Sequence, residues 1–164
     1  MPRILTPAEF RAQPWKNGRG ITHEIVRRPD DDAFDVRVSL AEDREPGPFS
    51  RFPGHRRWSF LAGPAPIVLD VEGTSHELRG LGDHVELPGD RAIECTLPAG
   101  PTRLLTVLVR DGLDAMVGHG ACASPIWFVF ALAPLPWLSA GCAAVFEPPA
   151  IVSLPERGGV WVAS

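Results

Sequence analysis

Residues 34–41 read FDVRVSLA and alternate apolar with polar side chains at a period of two. Such alternation predicts a β-strand with one apolar and one polar face. The apolar face carries Phe34, Val36, Val38 and Leu40, and the polar face carries Asp35, Arg37, Ser39 and Ala41. The apolar face is expected to pack on a core. The polar face meets water in an ordinary sandwich but lines the interior in a small barrel.

Short apolar runs separated by turn residues extend this pattern over most of the chain. The 164 residues include 16 glycines and 18 prolines, which divide the sequence as in an all-β protein. The predicted strands are 24–28, 34–41, 57–61, 67–72, 75–78, 84–87, 93–97, 103–110, 126–133, 143–146 and 160–163. They exceed the eight or so strands of a simple barrel, which indicates two barrel-like sheets in one compact unit.

A helix-start signal precedes these strands. Residues 6–9 read Thr-Pro-Ala-Glu, in which Thr6 can cap a helix, Pro7 suits its first position and Glu9 completes a capping box. We therefore predict one short N-terminal helix.

Composition narrows the class of protein. A net charge of −4 gives no general attraction to nucleic acid. The apolar residues 126–146 are long enough for a membrane span, but Pro134, Pro136 and Gly141 interrupt them, which favours two buried strands. Three cysteines without a Cys-x-x-Cys pair, and an N-terminus without an apolar signal run, favour a reducing cytoplasm.

Residues 15–24 read WKNGRGITHE and combine an aromatic ring, an amide, two glycines, a hydroxyl and a carboxylate. Gly18 and Gly20 allow the backbone to adopt positive φ or to approach a ligand closely. The hydrogen-bonding side chains belong to Asn17, Thr22 and Glu24. This mixture is typical of a ligand contact, and the alternative is a turn that leads into a strand.

Residues 47–57 read GPFSRFPGHRR and alternate rigid with permissive positions. Prolines stiffen this loop and its phenylalanines can anchor it. The side chains of Ser50 and the arginines therefore remain free to point toward a ligand. A guanidinium beside a rigid loop is a natural receptor for a carboxylate, and Arg57 is the preferred candidate. The alternative for Arg57 is an internal ion pair with one of three acidic residues: Asp35, Glu42 or Asp43.

Together with residues 34–41 and the LPGD stretch at 87–90, these clusters resemble the HutD family, which includes the Ves proteins and is named for its link to histidine utilisation. The resemblance spans roughly residues 13 to 110. It implies a cupin-type barrel of the bicupin class, a small-molecule pocket and no firmly established catalytic activity. It places Arg37 and Ser39 in the family's Arg-x-Ser element and Arg57 at the family's arginine position, so the polar face of residues 34–41 is expected to line the cavity.

The predicted fold is therefore an all-β bicupin over residues 1–164, one compact unit with a short N-terminal helix. Residues 1–110 approximately form the first cupin half, residues 111–124 connect the halves and residues 125–164 supply the second-half strands. The sequence departs from its relatives at Arg19, where they often have glycine, and at Val36, where they often have tryptophan. Residues 103–106 read Arg-Leu-Leu-Thr where relatives carry an Asp-x-Asn element, so the ligand's identity does not transfer.

Metal and nucleophile motifs are missing from the sequence. Metallocupins use a His-x-His pair followed by a glutamate and a later histidine, and no His-x-His occurs here. Only His84 and Glu86 place two potential ligands on one strand face, whereas a site needs three or four. We predict no metal and no other cofactor. No Gly-x-Ser-x-Gly elbow or phosphate-binding loop is present either.

The predicted function is metal-independent binding of a small polar metabolite with a carboxylate. The resemblance suggests a histidine-degradation intermediate, urocanate or formiminoglutamate, and a sensor or regulator of histidine utilisation. The predicted ligand-binding residues are Asn17, Gly18, Gly20, Thr22, Glu24, Arg37, Ser39, Ser50 and Arg57. The expected partner is the small molecule, with neither nucleic acid nor membrane, and a homodimer is left open.

Two other functions are consistent with the sequence. In an enzyme, a hydrolase or isomerase, Glu24 would be the general base, and Arg37 or Arg57 would stabilise developing negative charge. An ion pair between Glu24 and Arg37 would instead make that carboxylate structural. A protein-interaction module would require the apolar C-terminal section to be exposed rather than buried.

Overall fold

The computed structural model describes residues 1–163 and is all-β, as the sequence predicts. The chain divides into two compact units: a central unit, Arg11–Leu113, and a terminal unit of Met1–Phe10 with the segment from Asp114 onward. The strands are β1 (Arg3–Leu5), β2 (Arg11–Pro14), β3 (Gly20–Arg28), β4 (Val36–Asp43), β5 (Gly47–Pro48), β6 (His55–Leu61), β7 (Ile67–Val71), β8 (Thr74–Leu78), β9 (His84–Pro88), β10 (Ile93–Thr96), β11 (Thr102–Arg110), β12 (Met116–His119), β13 (Ile126–Ala131), β14 (Ala143–Ala150) and β15 (Gly159–Ala163).

The central unit contains two antiparallel sheets. The larger has the strand order β2-β3-β4-β11-β6-β9 and the smaller the order β5-β10-β7-β8. One cluster of buried apolar side chains joins them, with Leu61 and Leu104 from the larger sheet and Ile67, Leu69 and Ile93 from the smaller. Each such side chain contributes about 1.5–3 kcal/mol when fully buried. This cluster therefore holds the two sheets of the unit together.

Strand β4 lies between β3 and β11 in the larger sheet. Its apolar face, Val36, Val38 and Leu40, is buried, as the alternating pattern predicts. The strand continues two residues beyond the predicted end, to Asp43. This extension places one more side chain on the polar face, because residues two apart share a face.

The terminal unit has a single sheet with the order β1-β14-β13-β15-β12. All six residues of β13 are buried, and β13 pairs with β14, so the apolar segment 126–146 forms two paired strands as predicted. The described residues contain no helix long and apolar enough to cross a membrane. The interaction-module hypothesis requires this section to be exposed, whereas β13 lies in the apolar core of its unit.

The predicted N-terminal helix is wrong. Residues Pro7–Glu9 form only a single 3-10 turn. The capping contact does form, because the Thr6 backbone N–H donates to Glu9 Oε2 at 2.8 Å. The turn stops after three residues because Phe10 has an extended backbone and strand β2 begins at Arg11.

All eleven predicted strands occur, with small shifts at their ends, and four further strands were not predicted. The additional strands are β1, β2, β5 and β12. Each has at most four residues, and β2 and β5 contain a proline, so no alternating pattern marks them. Strand β12 lies within residues 111–124, the segment predicted as a connection. Pairing with a neighbouring strand, rather than local sequence, determines these elements.

Candidate functional site

A cavity of about 520 Å³ lies in the central unit. The larger sheet supplies one wall, through β3, β4, β6 and β11, and the segments 13–17 and 48–52 supply the rest. Six of the nine predicted ligand residues line it: Asn17, Thr22, Arg37, Ser39, Ser50 and Arg57. The other three, Gly18, Gly20 and Glu24, are not part of its wall.

The strand register explains the chemistry of the sheet wall. Ser39 of β4 pairs with Thr106 of β11, which pairs in turn with Ser59 of β6, so three hydroxyl side chains cross the sheet in one row. Two residues along the strands, Leu108 stands between Arg37 and Arg57. Strands lie about 4.8 Å apart, which separates the backbones of these arginines by about 10 Å. The polar face of β4 therefore lines a cavity and does not face open solvent.

Arg57 is a buried guanidinium with few partners. Its side chain donates one hydrogen bond, from Nη2 to the Ser50 carbonyl oxygen at 2.9 Å, and lies 5.4 Å from the Phe52 ring centroid. The Nε and Nη1 atoms have no acceptor among the described residues. Burial, followed by repulsion from Arg37, lowers the pKa of Arg57 to about 10. None of the three acidic partners considered for it forms an ion pair with it.

Glu24, which is not part of the cavity wall, fixes the position of Arg37 by an ion pair. Arg37 Nε donates to Glu24 Oε2 at 2.7 Å, so the ion pair that the sequence left open is present. Arg11 Nη2 and Arg27 Nε lie 2.6 Å and 3.7 Å from Glu24 Oε1. Glu24 is only 2% exposed. It therefore acts as the buried anchor of three arginines, one of which borders the cavity.

Substitution of Glu24 by glutamine is expected to lower the free energy of unfolding by about 2 kcal/mol at pH 7, because a buried anion with charged hydrogen-bond donors is lost. Urea unfolding of both proteins measures this. The matched control is Glu42→Gln, since the Glu42 carboxylate is about one-third exposed and its ion pairs are superficial. A cost for Glu24→Gln no larger than that of the control would show that the network contributes nothing.

Asp43 is the site residue that sequence analysis did not select. It lines the cavity, is fully buried, and neither carboxylate oxygen has a hydrogen-bond partner among the described residues. Burial alone raises its pKa from 3.8 to about 7. Continuing the period-two pattern of residues 34–41 by two positions places Asp43 on the same face as Arg37 and Ser39. The sequence considered it only as an ion-pair partner for Arg57.

Residues 15–17 of the segment 15–20 line the cavity. Trp15 Nε1 donates to Thr22 Oγ1 at 2.8 Å, and Asn17 Oδ1 accepts from the Arg19 backbone N–H at 3.0 Å. Gly18 has a φ of 71°. A Cβ on Gly20 would lie 2.5 Å from the Glu42 carbonyl oxygen and 3.0 Å from the Trp15 ring. The two glycines therefore permit the turn and the packing of Trp15, rather than a direct ligand contact.

Arg19 connects the segment 15–20 to residues 44–46 by hydrogen bonds. Its Nη1 donates to the Pro46 carbonyl oxygen at 2.9 Å, and its own carbonyl accepts from the Arg44 backbone N–H at 3.1 Å. Arg19 is not part of the cavity wall. Arg19 thus joins two segments beside the cavity.

No cluster of three or more metal-ligating side chains occurs in the part of the chain that the structure describes. His84, the sequence's best paired candidate, stacks on Phe60 with ring centroids 4.8 Å apart. Cys95 is buried, and desolvation raises its thiol pKa to about 11. Such a thiol is a poor nucleophile at neutral pH.

Comparison with known proteins shows the family of the chain. The sequence profile of the HutD family matches residues 7–120, which is more than half of the chain. An uncharacterized 21.2 kDa protein from the hutC 3′ region of Pseudomonas putida is 31% identical over 103 residues. That alignment covers 62% of this chain and 54% of the relative, so the chain spans about half of the relative's length.

Two solved structures relate the fold to known architectures. HutD from Pseudomonas fluorescens is 24% identical with a TM-score of 0.79, covering 100% of this chain and 94% of that one. The cupin domain of Cnp3 from Schizosaccharomyces pombe is 9% identical with a TM-score of 0.50, covering 63% of this chain and 71% of that domain. At these identities the likeness concerns the fold, which is a cupin-like β-fold.

Proposed function

The chain belongs to the HutD family, and on this premise we propose that it binds a small metabolite with a carboxylate group. It acts, in this proposal, without a metal ion as a sensor or regulator of histidine utilisation. The histidine-degradation intermediates urocanate and formiminoglutamate are the first candidate ligands. The Pseudomonas putida relative supports this context, because it lies in the hutC 3′ region.

The proposal includes the bicupin architecture, with the central and terminal units as the two cupin halves. Each unit has its own sheet or sheets. Each also has its own buried apolar cluster. A domain needs such a core of its own, which supports treating the units as separate halves.

The observation that carries the proposal is the buried guanidinium of Arg57. It borders a cavity, and two of its nitrogen atoms lack acceptors. An unpaired buried charge is costly unless a partner arrives. A ligand carboxylate offers two acceptor oxygens in one plane, which matches the donor geometry of a guanidinium. Both nitrogen atoms are shielded from water in the free protein, so a side-chain movement that turns them toward the cavity is needed before a ligand carboxylate can supply their missing partners.

The remainder of the cavity suits a small polar molecule. Its volume, about 520 Å³, lies in the usual range for metabolite sites. Arg37 adds a second positive charge, with its position fixed by Glu24. The Thr22 hydroxyl already accepts from Trp15, so its own proton is available to a ligand. Ser39 and Thr106 add hydroxyl groups on the sheet wall.

The enzyme alternative has weaker support from the geometry. A general base must reach the proton that it removes. Glu24 is not part of the cavity wall, and its carboxylate faces three arginines. The binding protein is therefore the preferred function.

A thermal-shift screen tests the proposal. We expect urocanate or formiminoglutamate, at 100 times its dissociation constant, to add about 2.7 kcal/mol of stability. For a chain of this size that corresponds to a rise in Tm of roughly 5–10 °C. The shift should be unchanged by a chelator. Histidine, glutamate and formate complete the panel, and stabilisation by none of the five compounds would contradict the proposed function.

A further inference from the structure

One short segment of the chain, residues 49–52, covers the guanidinium of Arg57. The Ser50 carbonyl oxygen accepts from Arg57 Nη2 at 2.9 Å, and the ring centroids of Phe49 and Phe52 lie 5.9 Å and 5.4 Å from the guanidinium carbon. The Nε and Nη1 atoms are shielded from water and lack acceptors among the described residues. Arg57 is therefore closed off in the free protein, and a carboxylate reaches it only after a movement.

The backbone of Arg57 is fixed by its sheet. Arg57 lies in β6, where it pairs with Leu108 of β11 on one side and with Leu87 of β9 on the other. A strand with two hydrogen-bonded neighbours does not shift without breaking the ladders on both sides. Residues 49–52, in contrast, have no regular secondary structure. The movement that exposes the guanidinium therefore takes place in side chains of the cavity and of this segment.

The two phenyl rings of the segment differ in what holds them. Phe49 packs against the apolar cluster that joins the two sheets of the central unit. Phe52 is partly buried and stacks on a second guanidinium, that of Arg37, at 5.8 Å. Stacking on a cation generally contributes less than packing against an apolar core. Phe52 is therefore the ring that can turn aside while Phe49 stays in place.

We propose that Phe52 is the gate of the ligand site: its ring covers Arg57 in the free protein and rotates away when Arg57 exchanges the Ser50 carbonyl oxygen for a ligand carboxylate. The backbone of Phe52 can stay in place, because its N–H donates to the Gly89 carbonyl oxygen at 2.7 Å and staggered side-chain conformers interconvert about a fixed backbone. This inference rests on the proposed function, since it assumes that the ligand's carboxylate binds Arg57. It adds a positioning residue to the predicted ligand set.

The exchange favours the ligand because a carboxylate is the stronger acceptor. On opening, Arg57 gives up one hydrogen bond to a neutral carbonyl oxygen and its contact with the Phe52 ring. In return it gains two hydrogen bonds to a charged partner, each roughly twice as strong as a bond between neutral groups. Without ligand no such gain offsets the lost contacts. The closed position is then preferred, as the structure shows it.

A gate predicts a change in the rate of association rather than of dissociation. In Phe52→Leu the side chain stays apolar but no longer stacks on the two guanidiniums, so the closed position is weakened. We expect the association rate constant for urocanate to rise about three- to tenfold, and the dissociation rate constant to stay within about twofold of the wild type. Stopped-flow binding measures both through tryptophan fluorescence, to which Trp15 in the cavity wall contributes.

Two further variants make the result specific to the gate. Phe52→Tyr keeps the ring and should bind with rate constants within about twofold of the wild type. Phe49→Leu makes the same change in the ring that packs against the core, and its association rate constant should also stay within about twofold.

The outcomes distinguish the gate from the proposed function. If urocanate binds but Phe52→Leu leaves the association rate constant unchanged, or Phe49→Leu raises it equally, the inference fails while the proposed function survives. A rise in the dissociation rate constant alone would make Phe52 a direct ligand contact and would likewise overturn the gate. If urocanate does not bind the wild type, both the inference and the proposed function fail.

Discussion

Substitution of Asp43 by asparagine is expected to stabilise the ligand-free protein, relative to the wild type, by about 4 kcal/mol more at pH 8 than at pH 4. Burial raises the Asp43 pKa from 3.8 to about 7, and each pKa unit corresponds to about 1.4 kcal/mol. Asparagine has the same shape and does not ionise. It therefore removes the cost of a buried, unpaired carboxylate.

The direction of the pH dependence follows from proton binding. Between pH 4 and pH 7 the folded state holds the Asp43 proton more tightly than the unfolded chain does. Stability of the wild type therefore falls as pH rises through this window, and the loss is complete above the folded-state pKa. Below pH 4 both states are protonated and this cost vanishes. The amide of the variant does not titrate, so its own burial cost cancels from the comparison between pH values.

Urea unfolding of wild type and variant at pH 4, 6 and 8 measures this difference. The matched control is Asp35→Asn, because the Asp35 carboxylate is more than one-third exposed and pairs with Arg110 at 2.8 Å. The control should show no gain as pH rises. A difference between wild type and Asp43→Asn that stays constant from pH 4 to pH 8 would show that Asp43 has an ordinary pKa and a partner in the folded protein.

Substitution of Arg57 by alanine is expected to weaken carboxylate binding by about 30- to 1000-fold. Loss of one partner from a buried, hydrogen-bonded charge pair costs about 2–4 kcal/mol, and 1.4 kcal/mol corresponds to a factor of ten. Arg57→Lys should restore only part of the affinity, because an ammonium group cannot form the planar two-bonded pair. Calorimetric titration with urocanate measures all three proteins.

The matched control for Arg57 is its neighbour Arg56. The Arg56 guanidinium lies 4.9 Å from the Trp58 ring, is more than one-third exposed and is not part of the cavity wall. Arg56→Ala should bind the ligand within about twofold of the wild type. An equal loss of affinity in the two variants would indicate a general effect of positive charge instead of a specific contact at Arg57.

The stability of an Arg57 variant without ligand can also be compared with that of the wild type. Burial and the nearby Arg37 lower the Arg57 pKa to about 10, so the charged side chain opposes folding at neutral pH. Replacement by methionine, which fills similar space without charge, should leave stability unchanged or higher. A protein that binds poorly yet folds as well as the wild type has lost a ligand contact and not its core.

The unpaired groups explain why the site is not optimised for stability. Arg57 and Asp43 are both buried without full hydrogen bonding, and they have opposite charges. Burial is the only cause of the raised Asp43 pKa, so no arginine in the cavity offsets it. Binding sites commonly keep such groups at a cost to the free protein, because the ligand then supplies the missing contacts.

The sequence predicted the elements that local pattern controls. The alternation at residues 34–41 predicted β4, its buried face and the position of Arg37 and Ser39. The rigid loop at residues 47–57 predicted an available Arg57. The prediction of β4 and its two faces succeeds because side-chain direction along a strand has a fixed period, whereas the ligand-binding role of Arg57 stays a prediction.

The missed features depend on contacts between distant residues. Strand β4 was predicted to end at Ala41, yet residues through Asp43 pair with β3 and β11. That pairing is what buries Asp43. The helix signal at residues 6–9 is likewise correct for one turn and is then overridden by the strand that follows. Pairing partners far apart in sequence leave no local signal for their extent.

A crystal structure of the protein with urocanate is the most direct test of the binding mode. We predict electron density for the ligand in the 520 Å³ cavity, with a carboxylate oxygen within about 3 Å of Arg57 Nη1 or Nε. Density for urocanate on another surface, or with its carboxylate remote from Arg57, would contradict the account.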